Sequence, residues 1–140
     1  MKSIVVILGF LFFIFSSTSI VKSSHIQNPQ TGIWLAPASA DDLVNPLVGD
    51  AAATTAGKAL YTKYCVVCHG PLGKGNGVAA AGLQIPPADH SSVKVQSQTD
   101  GAIFWKITNG RGAMASYKTT LTETQRWQLV NYIRTLAKSK

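Results

Sequence analysis

The run Cys65-Val66-Val67-Cys68-His69 constrains this chain more than any other feature, because it holds the only two cysteines in 140 residues. Three chemistries use such a pair. Two thiols separated by two residues on a helical turn match the two vinyl groups of one haem, with the adjacent histidine held against the iron. A thioredoxin-like redox pair also uses C-x-x-C, but it wants a βαβ setting, and no segment of this chain reads as a strand. A zinc site would need one or two further ligands, and the remaining histidines are His25 and His90. A disulfide between the two cysteines would be strained and would leave His69 without a role. Covalent attachment of one haem c through Cys65 and Cys68 is therefore the expectation.

The flanking sequence suits such an insertion. Asp50 can cap a first helix running from residue 51 to the cysteines. Ala53, Gly57, Leu60, Tyr61 and Tyr64 fall near helical spacing and would share one face. Residues 70–92 then read as a loop, with glycines at 70, 73, 75, 77 and 82 and prolines at 71, 86 and 87. A loop of that length is rarely left empty in a small domain, and a porphyrin would serve as an attached piece of core. A short helix is expected over 100–108, stopped by Asn109-Gly110. The last helix should start after Thr122, with Gln125 as capping-box partner. On it Trp127, Val130, Ile133 and Leu136 make one face, widened by Leu129 and Tyr132. Arg134, Lys138 and Lys140 stand at its end, where cations suit the helix dipole. The expected fold is all-α, two or three short helices joined by long loops.

The length fits one domain. Ahead of it, Met1 and Lys2 precede an apolar run over residues 4–15, followed by Ser16-Ser17-Thr18-Ser19. Residues 1–23 thus read as a secretory signal peptide, with an apolar run shorter than the roughly 20 residues of a spanning helix. Val21-Lys22-Ser23 and Ser17-Thr18-Ser19 are poor cleavage sites, so an uncleaved N-terminal anchor tethering the protein to the membrane is the alternative. No cysteine lies near the junction to carry a lipid. Residues 24–49 read as an extended loop segment broken by Pro29, Gly32, Pro37, Pro46 and Gly49, and tied down by Trp34, Leu35, Leu43 and Leu47. Residues 50–140 form the haem domain.

Beyond Ser23 the chain carries eleven lysines and arginines against six acids, and residues 101–140 hold seven of them against Glu123 alone. Such a basic face suits acidic partners or an anionic surface. Nucleic acid is disfavoured, since there is no basic run and no basic–aromatic interleaving.

An inventory narrows the iron ligands. His69 supplies one. Methionine occurs only as Met1, in the signal, and Met114, 45 residues past His69. A lone methionine is ordinarily core filler, but Met114 ends the flexible-looking run Gly110-Arg111-Gly112-Ala113 rather than an apolar helix face. If the second ligand is a thioether, it is Met114. His90 is the rival, although beside Asp89 it reads as a surface loop histidine.

Over residues 50–137 the chain resembles the monohaem class I cytochromes c. Gly57, Tyr61, Cys65, Cys68, His69 and Gly70 match that family's first helix and haem motif. The likeness implies that Gly57 lets the last helix cross closely at Leu129 and Tyr132. Gly73, Gly75 and Gly77 look like its G-x-G-x-G run, and Pro87-Ala88-Asp89 like the segment whose proline carbonyl holds the ligand histidine. Pro86 or Pro87 would then fix the His69 tautomer. Residues 100–114 also resemble small cytochrome subunits of bacterial respiratory complexes such as alternative complex III. Two departures stand out: Ala115 and Ser116 follow Met114 where the family often has Met-Pro, and His90 stands where an apolar residue is usual.

The resemblance implies a class I cytochrome c fold with His69 and Met114 as axial ligands. It also implies a periplasmic single-haem electron carrier, not an enzyme, between respiratory or dehydrogenase partners. Lys74, Lys106, Arg111 and Lys118 would steer redox proteins with an acidic docking surface. The alternatives are a haem c subunit of a membrane complex and a haem-based gas sensor, which would need Met114 absent or labile.

Overall fold

Residues 33–137 are described by the computed structural model. The signal segment 1–23, the first part of 24–49 with His25, and Lys138 and Lys140 lie outside them. Asp50 caps the first helix as anticipated, its carboxylate accepting from the Ala53 N–H at 2.9 Å, and α1 runs Ala51–Tyr64. One further turn, α2 (Val66–His69), carries the motif. After the glycine-rich loop come a single turn α3 (Val93–Gln96), then α4 (Asp100–Asn109) and α5 (Glu123–Thr135). Thr122 and Gln125 complete the capping box of α5, and Gly110, at φ 65°, ends α4. Among the described residues there is no strand; Arg111 and Met114 form an isolated bridge.

The helices α1 and α5 make the main crossing. A Cβ at Gly57 would stand 2.6 Å from the Gln128 carbonyl carbon and 3.1 Å from Tyr132 Cβ. Only a glycine permits that approach. It is the Gln128 backbone, not Leu129, that sits over Gly57; Leu129 is turned fully into the core. There it packs with Tyr61, Ile103, Phe104, Ile107, Trp127, Val130 and Ile133. Phe104 and Trp127 stack at 3.9 Å, fastening α4 to α5.

The segment before α1 is tied down differently from the expectation. Leu35 is 74% exposed and anchors nothing, whereas Leu43, though 41% exposed, lies with its carbonyl and Cβ against Gly101 of α4. Leu47 and Trp34 also make contact, and a polar network adds to them. Buried Asn45 donates through Nδ2 to Asn131 Oδ1 at 2.8 Å and to Asp100 Oδ2 at 2.7 Å. Asn131 in turn donates to the Leu47 carbonyl. Asp100 also pairs with Arg134 at 2.7 Å, and Arg134 donates to the Gln96 and Gln98 carbonyls. These links hold the preceding segment and α3 against the start of α4 and the end of α5, and so frame one side of the cavity described next.

Candidate functional site

The short helix α2 ends in carbonyls that need partners, and the glycine loop supplies them. Gly75 N–H donates to His69 O at 2.8 Å, Gly77 to Cys68 O at 2.9 Å and Ala79 to Val67 O at 2.9 Å. A Cβ at Gly77 would collide with the Val66 and Val67 carbonyls, so the loop can lie this close only without one. The loop thereby fixes the motif turn from below while leaving its other side open.

That open side faces a cavity of about 980 Å³, at the large end of small-molecule sites. Cys65, Cys68, His69 and Met114 all line it. Leu83, Ile85, Ile103, Ile107, Leu129 and Ile133 give it apolar walls. Burial pushes the Cys65 thiol up to about 12, with Cys68 adding a smaller contribution. His69 sits in the lining with its Nδ1 3.0 Å from the Ala88 carbonyl. That bond puts the proton on Nδ1 and leaves Nε2 as the lone-pair nitrogen, the tautomer an iron ligand needs. Burial lowers the His69 pKa, keeping the ring neutral, against an opposing pull from that carbonyl. The holding carbonyl belongs to Ala88, not to Pro86 or Pro87. The Pro87 carbonyl instead faces Gly75, where an added Cβ would meet it.

Met114 is presented by a closed turn and not by a flexible run. Arg111 N–H donates to Met114 O at 2.9 Å, and Met114 N–H returns to Arg111 O at 3.1 Å. Gly112, at φ 58°, allows the reversal. Downstream, Ser116 Oγ donates to Thr108 O at 2.7 Å and Tyr117 hydroxyl to Tyr64 O at 3.1 Å, so the turn is braced on both α4 and α1.

His90 is half-buried and not an exposed loop residue. Its ring stacks on that of His69 with centroids 4.0 Å apart and planes 18° from parallel. Its Nδ1 lies 3.1 Å from the Tyr61 hydroxyl. Burial, reinforced by His69, lowers its pKa to about 3. Two axial imidazoles would point nitrogens at an iron lying between them; rings stacked face to face cannot do so. The geometry therefore disfavours His90 as the partner ligand of His69.

The cations divide. Lys94, Lys106 and Arg111 line the cavity. Lys106 Nζ donates to Gln98 Oε1 and lies 5.6 Å from the Trp34 ring centre, with the Arg111 guanidinium 5.3 Å from the same ring. The Lys106 pKa is lowered by burial and then by Arg111 and Lys94. Lys74 instead donates to Ser91 Oγ at 2.9 Å, and exposed Lys118 lies outside the lining. Trp34 also meets Trp105 edge-on at 6.5 Å. The sequence signal for this arrangement was faint, because Trp34 lies 71 residues before Trp105 and outside any motif.

The residues fit a porphyrin bound through thioethers. They do not fit the other uses of the motif. Among the described residues no three His, Cys, Asp or Glu side chains converge as a metal set, and no strand provides a thioredoxin setting. No described helix is long and apolar enough to cross a membrane.

Residues 52–133 match the family model described as cytochrome c oxidase, cbb3-type, subunit III. A chain of the reducing HAO-like protein complex of Kuenenia stuttgartiensis superposes with a TM-score of 0.61 at 27% identity, over 66% of this chain and 47% of that one. This chain thus spans about half the length of that relative. The c-type cytochrome KustC0563 gives a TM-score of 0.52 at 27% identity, over 59% of this chain and 98% of that one. Cytochrome cL of Methylophaga aminisulfidivorans shares the fold, with a TM-score of 0.51 at 23% identity over 66% of this chain and 58% of that one. Among curated proteins none matches significantly.

Proposed function

Because the chain belongs to the cytochrome c family described as cytochrome c oxidase, cbb3-type, subunit III, we propose that it carries single electrons between redox proteins through one haem c ligated at iron by His69 and Met114. The family and the C-x-x-C-H motif make the haem c covalent, joined at Cys65 and Cys68, and make electron transfer its chemistry. The observation that carries the ligand reading is the convergence of both cysteines, His69 and Met114 on one apolar-walled cavity.

When bound, the haem supplies a one-electron ferric–ferrous couple. The chain's residues determine how it is used. Ala88 orients His69 so that Nε2 is free to ligate. The Arg111–Met114 turn supplies a thioether, and histidine with methionine favours a comparatively positive potential. With His69 and Met114 both holding the iron, no position would remain for a substrate, which supports a carrier over an enzyme or a gas sensor. The apolar walls exclude water and so reduce the solvent rearrangement that accompanies a change of charge. Lys94, Lys106 and Arg111 together suit a partner with an acidic docking surface. The reading of residues 1–23 as a leader supports export to the periplasm, the compartment in which such a carrier would meet its partners.

The test is substitution of each candidate ligand. Met114→Ala is expected to lose the weak sulfur-to-iron charge-transfer band of the ferric protein, lower the potential and admit carbon monoxide to ferrous iron. His90→Ala is expected to leave the protein six-coordinate with that band in place. If Met114→Ala leaves the spectrum unchanged, Met114 is not a ligand and the reading fails.

A further inference from the structure

One bond to Ala88 does not by itself fix the His69 ring. The torsion that turns an imidazole about its Cβ–Cγ bond is broad, and a single hydrogen bond at Nδ1 narrows it without setting the plane. The second restraint is the flat face of His90, 4.0 Å away and 18° from parallel. Resting on the reading of His69 as an iron ligand, we propose that His90 is a positioning residue, whose stacked ring sets the plane in which the His69 imidazole meets the iron and thereby tunes the iron's electronic state and potential.

His90 is equipped to hold another ring because it is itself held from several directions. Its Nδ1 is tethered to the Tyr61 hydroxyl at 3.1 Å, and Tyr61, on α1, is 1% exposed. That hydroxyl lies 3.4 Å from the Gly70 carbonyl, so it is placed by the residue directly after His69. The His90 backbone N–H donates to Gly73 O at 2.6 Å, and its carbonyl accepts from Gln96 Nε2 at 2.6 Å. Gln96 is pinned in turn to the Ile133 carbonyl of α5 at 2.9 Å. A Cβ at Gly73 would come within 3.0 Å of His90 Cβ, which leaves the side chain little room to shift. Ala88 and His90 are two residues apart, so one short segment grips His69 at its nitrogen and on its face.

Packing alone does not explain the residue type. An apolar side chain would fill the same space without the cost of removing an imidazole from water. What an imidazole adds is a flat face whose orientation is fixed by a hydrogen bond from its own edge. The plane of an axial imidazole sets which iron d orbital is raised by π overlap, so a change of plane is read directly by the unpaired electron of ferric iron.

The experiment uses the full-length, haem-loaded protein with His90→Leu, His90→Phe and Tyr61→Phe. Haem content by mass and thermal stability are measured alongside ferric electron paramagnetic resonance, the proton shifts of the haem methyl groups and the midpoint potential. His90→Leu is expected to change the g-value spread and the order or spread of the methyl shifts, and to move the potential, while retaining one haem. His90→Phe, which restores a flat face, is expected to return the g values and methyl shifts toward wild type. If His90→Leu matches wild type in both, or if His90→Phe departs as far as His90→Leu, the proposal is overturned. Should His90→Leu not accumulate as haem protein, Tyr61→Phe decides: loss of the tether is expected to broaden the low-spin signal, and an unchanged signal overturns the proposal. A wild-type ferric protein lacking any low-spin signal would instead sink the His69–Met114 reading on which it rests.

Discussion

The close crossing of α1 and α5 sets a measurable penalty at Gly57. In Gly57→Ala the new methyl carbon would stand 2.6 Å from the Gln128 carbonyl carbon, closer still to its oxygen, and 3.1 Å from Tyr132 Cβ. Carbon atoms rest at about 3.5–4.0 Å, so α1 and α5 must part by about 1 Å at the crossing. Both helices are anchored elsewhere by buried Tyr61, Leu129 and Val130, and the separation would open gaps around them. Overpacking of this kind costs about 3 kcal/mol at the upper end of its usual range. Alanine's better helix propensity returns about 1 kcal/mol, leaving a net loss of about 2 kcal/mol. For a domain of this size that lowers Tm by about 8–16 °C. Thermal and guanidinium unfolding of the ferric protein, followed by circular dichroism, measures it. Lys58→Ala, on the exposed side of the same helix, is the control; it should stay within about 0.5 kcal/mol of wild type. A Gly57→Ala protein as stable as wild type would refute the close crossing.

Three further outcomes are expected. Asn131→Ala leaves the Asn45 amide and the Leu47 carbonyl short of partners, costing about 1–3 kcal/mol; limited proteolysis should then cut faster within residues 33–49, and an unchanged rate would count against this tie. Trp34→Ala removes the ring that Lys106 and Arg111 share, costing about 1–2 kcal/mol for two partly exposed cation–π contacts, and by wetting the cavity should lower the midpoint potential in spectroelectrochemistry. Electron exchange with an acidic redox protein should slow as salt rises toward 0.1 M, where screening acts over about 10 Å; a rate indifferent to salt in stopped-flow mixing would remove the role of Lys94, Lys106 and Arg111 in docking.

What could be read from the sequence was local. Asp50, Thr122 with Gln125, and Gly110 mark helix ends within four residues of the groups they satisfy, and the haem motif is a contiguous pentapeptide. Met114 emerged from an inventory of two methionines, and its turn was legible as glycine-rich though not as closed. The rest depended on contacts made across the chain. Asn45 and Asn131 are 86 residues apart, and nothing in either neighbourhood marks them as a pair. The Ala88 carbonyl that orients His69 carries no side-chain signature, and it directly follows two prolines, Pro86 and Pro87, whose carbonyls are the more conspicuous candidates. His90 looked like a loop histidine because its local context, next to Asp89, is polar. Its burial comes from Tyr61 and His69 folding over it. The one-turn helix Val93–Gln96 is too short to show a period.

The proposed function requires that one electron pass through a haem whose iron would be held on both sides by His69 and Met114. A spectroelectrochemical titration of the purified protein, repeated under carbon monoxide, tests it most directly. The predicted result is a single reversible one-electron transition at a comparatively positive potential, unchanged by carbon monoxide. A ferrous protein that binds carbon monoxide readily, with a shifted or multi-electron transition, would contradict it.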